Sequence, residues 1–209
     1  MPSAPGSPDG RPAQAGPEDR RRRPRTQISV TGNGDRHAPP ARDQAEAVAS
    51  SRLTARGQAL SKLLPGALSK FRPTVGAEID EVTCLVGREW VVDVAVLLKS
   101  DAALAFDYFR LLTVVDYVET AREFEVVYHL YSLERRHKMA LKTRVPESDP
   151  WVTSVSGVWR GANWYEREMH DLFGVVFRGH PDLDRLILPD DFEGFPGRKA
   201  YPLYEYGEY

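Results

Sequence analysis

A chain of 209 residues with a formal net charge of -2 has room for one ordinary domain plus extensions, and lacks the basic excess of a general nucleic-acid binder. No apolar run approaches the roughly 18 residues of a membrane span, because Val91–Leu98 is already interrupted by Asp93. The single cysteine, Cys84, excludes an intramolecular disulfide and a four-cysteine cluster held by this chain alone; inside an apolar run it reads as a small core residue.

Residues 1–50 read as a disordered tail. They hold eight of the sixteen prolines and almost no large apolar side chain. The run Arg20–Arg23 with Arg25 is diluted by Asp9, Glu18, Asp19 and Asp35, and no apolar or amphipathic stretch accompanies it, so neither a signal nor a transit peptide fits. A solvated tail is the simpler reading, with a net +2 there against -4 in the remainder.

The next element is a helix expected over 45–54, limited by Gly57 and Pro65. Ala77–Val86 and Trp90–Val94 read as two strands joined across Gly87-Arg88. Leu104, Tyr108 and Leu111 recur at helical spacing, which predicts an amphipathic helix over 101–112. Thr113–Tyr117 starts an extended stretch. Phe124, Val126, Tyr128 and Leu130 then alternate, as do Met139, Leu141, Thr143 and Val145, with a charged hairpin connection between them. A short helix is expected over 151–158. This order predicts an α+β domain over 51–177, with a mixed or mostly antiparallel sheet covered on one face by helices.

From Asn163 onward the punctuation is clearer. Asn163 can cap a helix over Trp164–Phe173, Glu166 can close a capping box, and Gly174 can end it. Tyr165, Met169, Leu172 and Phe173 form its buried stripe. Trp164, Arg167, Glu168 and Asp171 share the opposite arc, and a tryptophan among charges there reads as a partner-facing surface. Residues 178–209 show no helical period and no long strand, yet carry Leu183, Leu186, Ile187, Leu188, Phe192, Phe195, Tyr201 and Tyr204. A disordered linker would be poorer in aromatics, so an extended arm lying across another subunit is expected. Within it, Arg198 and Lys199 are stiffened by Pro196 and Tyr201-Pro202, and suit docking on an acidic partner or on a helix C-terminus.

Catalytic readings find little to hold them. His170, Asp171 and His180 with Glu166 are chemically able to bind zinc or iron, but lack an H-x-x-x-H or H-E-x-x-H spacing. Acid–base work by Glu166, Glu168 or Asp171 competes with a charged helix face in which Arg167 and Asp171 pair at i,i+4, a contact of about 0.2–0.5 kcal/mol. No phosphate-binding glycine loop and no G-x-S-x-G is present.

The stretch EREMHDLFGVVFRGHPDL followed by EGFPGRKAYPL resembles the thirty-kilodalton subunit family of respiratory complex I, the C subunit of the proton-pumping NADH:quinone oxidoreductase. The matching positions are Glu166, Arg167, Glu168, Asp171, Leu172, Phe173, Gly174, Gly179, His180, Pro181, Arg198, Lys199, Tyr201 and Pro202, with Ala162-Asn163-Trp164 as lead-in and Asp116-Tyr117 upstream. Asp184, Gly197 and Ala200 depart from the family's usual basic residue, leucine and aspartate. The resemblance implies a non-catalytic scaffold of the peripheral arm, docked on the neighbouring D subunit near the quinone end. Flavin and iron–sulfur clusters are then expected in partner subunits and none in this chain. It further implies a place on the cytoplasmic face of a bacterial inner membrane, or the matrix side in a mitochondrion. The implied partner interface comprises Trp164, Glu166, Arg167, Glu168, Asp171, His180, Arg198, Lys199 and Tyr201. Two rivals share these residues: the equivalent subunit of a related membrane-bound hydrogenase or other donor-fed dehydrogenase, and a free-standing metal-dependent hydrolase built on His170, Asp171 and His180.

Overall fold

A computed structural model describes residues 52–202. The expectations for residues 1–50 and for the end of the arm, 203–209, lie outside the described residues, as does most of the helix expected over 45–54. Thr54 closes that stretch as a helix cap: its Oγ accepts the Gly57 N–H at 3.2 Å and opens α1, Ala55–Ala67. Leu60, Leu64 and Leu68 recur along one face and are fully or almost fully buried, about 1.5–3 kcal/mol each in transfer terms.

Five strands form the main sheet in the order β1-β2-β5-β4-β3, with β1 Thr74–Glu78, β2 Glu81–Leu85, β3 Tyr108–Asp116, β4 Glu123–Ser132 and β5 His137–Pro146. All neighbours are antiparallel except β2 and β5, so the sheet is mixed and the domain is α+β as expected. The β4–β5 hairpin matches its predicted alternation: Phe124, Val126, Tyr128 and Leu130 join Met139, Leu141 and Val145 in the core. The other face is polar. There Lys142 Nζ lies 2.6 Å from Glu78 and 3.3 Å from Glu125, and His129 Nδ1 lies 2.8 Å from Glu81.

Four expected elements are different, three of them before β4. The first predicted strand is a hairpin whose turn sits at Ile79-Asp80, with Ile79 in the left-handed region at φ 57°. Val91–Ser100 is a helix, α2, because Val91, Val94, Ala95 and Leu98 repeat at three- and four-residue spacing and are buried together; β-branched content misdirects the strand reading. The helix expected over 101–112 is instead a loop leading into β3. A bulge between Phe109 and Leu111 inserts a residue, so Leu104, Tyr108 and Leu111 imitate a helical period while Phe109, Leu112 and Val114 fill the core.

A helical turn, α3, covers Val118–Ala121 between β3 and β4. Trp151–Thr153 is a short strand, β6, rather than part of a helix, because it pairs in parallel with β7, Val176–Arg178. Between them lies α4, Ala162–Phe173. The helix α1 packs against β1, β2 and β5, and α4 packs against β3. No helix among the described residues is long and apolar enough to cross a membrane.

Candidate partner-docking site

The helix α4 starts at Gly161, whose residue type offers no side-chain cap, two positions before the expected Asn163. That offset undoes the predicted capping box. Asn163 lies inside the first turn, and its carbonyl accepts from His180 Nε2 at 3.2 Å. The Glu166 carboxylate turns into the protein: Oε2 accepts from Ser154 Oγ at 2.5 Å and Oε1 from the Val155 N–H at 2.7 Å. The other end is as predicted. Gly174 adopts φ 73° and donates its N–H to His170 O at 2.9 Å. Ala162 and Met169 are buried, and Tyr165, Leu172 and Phe173 pack against the core.

Residues 179–202 contain no helix or strand, and they run along α4 in its own N-to-C direction. Arg167 lies 3.6 Å from the Asp182 carboxylate and donates to the carbonyls of Asp184 and Arg185 at 2.9 and 3.0 Å. One turn further, Asp171 Oδ2 accepts the N–H groups of Leu186, Ile187 and Leu188 at 2.7, 2.8 and 3.3 Å. At the helix end, Leu172 O accepts the Gly197 N–H at 2.9 Å and Phe173 O accepts Arg198 Nε at 2.8 Å. Two carbonyls that a helix C-terminus leaves unpaired are satisfied this way, and the guanidinium complements the helix dipole.

This geometry makes the arm's described part a wrapping of its own helix. The sequence lacks strands and helices there because the backbone groups are satisfied by side chains of α4 instead. Gly197 is required by that close approach: a Cβ would stand 2.9 Å from Leu172 O and from the Phe173 ring. Of the two destinations expected for Arg198, the helix C-terminus is the one realised, and its guanidinium also covers the rings of Phe195 and Phe124 at 4.5 and 4.9 Å. Lys199 donates its backbone N–H to Asp116 Oδ2 at 2.9 Å and keeps its side chain exposed. Tyr201 stacks on Phe192 at 6.0 Å.

The predicted interface residues therefore divide. Glu166 is fully buried and Asp171 only 4% exposed, so neither carboxylate can present a face to another subunit; both Glu166 oxygens and Asp171 Oδ2 are paired inside this chain, while Asp171 Oδ1 is buried without a hydrogen-bond partner. The His180 side chain is likewise fully buried, and Arg167 mostly so. Trp164, at 62% exposure, stands clear on the same arc, 5.7 Å from the Arg167 guanidinium, and Ile187, anchored through its N–H by Asp171, exposes its side chain. Glu168 is half-buried. Ser154 and Val155 join the assembly with no signal in the sequence, while Asp116, part of the family match, and Phe195, one of the arm's apolar residues, take roles set by long-range contacts that no local pattern shows.

The electrostatics follow the packing. Burial pushes the Glu166 carboxyl up to about 7, against the opposing pull of the Ser154 and Val155 donors. Burial also pushes Asp171 upward, but the N–H groups of Ile187, Leu186 and Leu188 and the nearby Arg185 charge outweigh it and hold this carboxyl below its ordinary value. His170 Nδ1 pairs with Val175 O at 2.9 Å. Among the described residues no group of three His, Cys, Asp or Glu side chains is arranged to hold a metal.

The family model described as respiratory-chain NADH dehydrogenase, 30 Kd subunit, matches residues 84–207, more than half the chain and all of α4 with its wrapped segment. The chain belongs to this family. A relative from Roseiflexus castenholzii, named as the C subunit of an NADH-quinone oxidoreductase, is 44% identical over 147 residues, covering 69% of this chain and 80% of the relative. Among solved structures, a trypsin-resistant fragment of Nqo5 aligns with a TM-score of 0.52 at 30% identity, covering 59% of this chain and 98% of the fragment. A chain of an archaeal membrane-bound sulfane sulfur reductase, a respiratory membrane complex, aligns with a TM-score of 0.60 at 25% identity over 69% of this chain and 86% of that one. The 30 Kd subunit fold is thus shared between differently named respiratory assemblies.

Proposed function

We propose that this 30 Kd family member is a non-catalytic scaffold of the peripheral arm of a proton-pumping NADH:quinone oxidoreductase. It docks on the D subunit near the quinone site through α4 and the C-terminal arm, on the cytoplasmic face of a bacterial inner membrane. The flavin and iron–sulfur clusters belong to its partners. The observation that carries this reading is the use made of the charged residues of α4. Arg167, Asp171 and Arg198 act on arm backbone or helix-end carbonyls, which builds a shaped, rigid ledge and leaves Trp164 standing from it. Exposed aromatic anchors on rigid supports are what dominate protein–protein binding energy.

The likeness to the sulfane sulfur reductase chain favours one second reading, the same scaffold role in a related membrane complex fed by another donor. Capture of the tagged full-length chain from native membranes, with mass spectrometry of what accompanies it, separates the two. Flavin- and NADH-binding subunits support the oxidoreductase. A complex lacking them supports the second reading, and recovery of the chain alone overturns both.

A further inference from the structure

We propose that the contact between Glu166 and His180 is a protonation latch for the arm: a protonated Glu166 keeps the arm's first residues seated on α4, and loss of that proton loosens them. The two side chains are wholly excluded from solvent, and His180 Nε2 lies 3.9 Å from Glu166 Oε2. Three segments meet there: α4, the turn after β6 and the start of the arm.

Both ring nitrogens of His180 are engaged within the chain. Its Nδ1 accepts the Asp182 N–H at 3.0 Å, so the hydrogen sits on Nε2, which donates to Asn163 O at 3.2 Å. With its one hydrogen directed at Asn163 O, the ring in this arrangement makes no hydrogen bond to Glu166. From the turn after β6 the carboxylate meets the Ser154 hydroxyl and the Val155 N–H, with Ser156 Oγ bonded to Ser154 Oγ at 2.7 Å. From β4 it faces the buried Tyr128 phenol, pushed up by burial and then by the Glu166 charge. On α4 itself Arg167 is turned to Asp182 and the arm carbonyls, and His170 to Val175 O. Arg178 of β7 covers Trp151 at 3.7 Å and lies 3.8 Å from Asp149. Among the described residues, neither lysine nor arginine pairs with Glu166.

A carboxylate with two donors and no lysine or arginine partner is costly to bury, and the rise of its pKa to about 7 expresses that cost. Relief by water requires lifting His180, the arm residue against it. Once solvated, the group returns toward its ordinary value of 4.5, so the opened arm gains on the seated arm as pH rises from 4.5 to about 7 and then levels off. The latch rests on contacts within this chain and stands whether or not the arm meets another subunit.

Hydrogen exchange of the full-length chain, corrected for the chemical rate and compared at about pH 5 and about pH 8, reads it out at the amides of Asp182, Leu186, Ile187 and Leu188. Their protection should fall more than tenfold across that range and level off above about 7. Glu166→Gln should remain protected at both values. His180→Gln keeps an N–H toward Asn163 but cannot titrate, and should retain the dependence. Protection independent of pH in the unmodified chain, a dependence surviving in Glu166→Gln, or its loss in His180→Gln would overturn the latch. Should Glu166→Gln fold poorly, the unmodified chain and His180→Gln decide the matter between them.

Discussion

Replacing Asp171 by alanine removes the one oxygen on which three arm N–H groups converge. Bonds to a charged acceptor contribute about 1.5–3 kcal/mol each in isolation. Here two are short, at 2.7 and 2.8 Å, one is long at 3.3 Å, and all share Oδ2, so the set is non-additive. Since Asp171 is only 4% exposed, solvent screening takes little away, and a total of about 3 kcal/mol is expected. At about 1.4 kcal/mol per factor of ten, the arm's opening equilibrium should rise on the order of a hundredfold. Trypsin cleavage after Arg185, Arg198 and Lys199 in the full-length chain measures that population when reclosing outruns cleavage. Asp171→Asn, which keeps an acceptor but loses the charge, should fall between the two. Cleavage in Asp171→Ala equal to the unmodified chain would show that the carboxylate does not hold the arm.

Three further outcomes follow from the same geometry. Gly174→Ala places a Cβ 2.6 Å from the Phe195 ring and 2.8 Å from the Arg198 guanidinium at φ +73°, so urea unfolding should show a loss of about 2–3 kcal/mol together with faster arm cleavage. For Glu166, the raised folded value means that the native state holds its proton longer than the unfolded chain. Stability relative to Glu166→Gln should therefore fall as pH rises from 4.5 to about 7 and stay level above, by about 3 kcal/mol at about 1.36 kcal/mol per pKa unit; urea titrations of both proteins across that range check it. Trp164→Ala should leave the unfolding midpoint unchanged within about 0.5 kcal/mol, because the ring is largely exposed, while recovery of the chain in its complex drops at least tenfold.

Much of this was legible where sequence patterns are local. The β4–β5 hairpin announced itself by strict alternation, and Gly174 by the abrupt end of a helical period. The family followed from residues clustered between Asn163 and Tyr201. Where packing or a bulge overrode the local pattern, reading failed: β3 looked helical because its bulge shifts the period, and α2 looked extended because valine fills it. The site shows the same division. That Arg167 and Asp171 share an arc with Trp164 was visible, but what fills that arc was not, since nothing local says that the Asp171 acceptor and the Leu186–Leu188 donors will meet. Glu166 was misplaced for a similar reason, its partners being a serine and an amide in a distant turn.

A photo-reactive residue at position 164, compared with one at the exposed Val96 on α2, tests the docking claim most directly when activated in the intact complex from native membranes. Cross-linking from 164 to one neighbour, the D subunit, with little from 96, is the result expected. Equal labelling from both positions, or products confined to this chain, would contradict it.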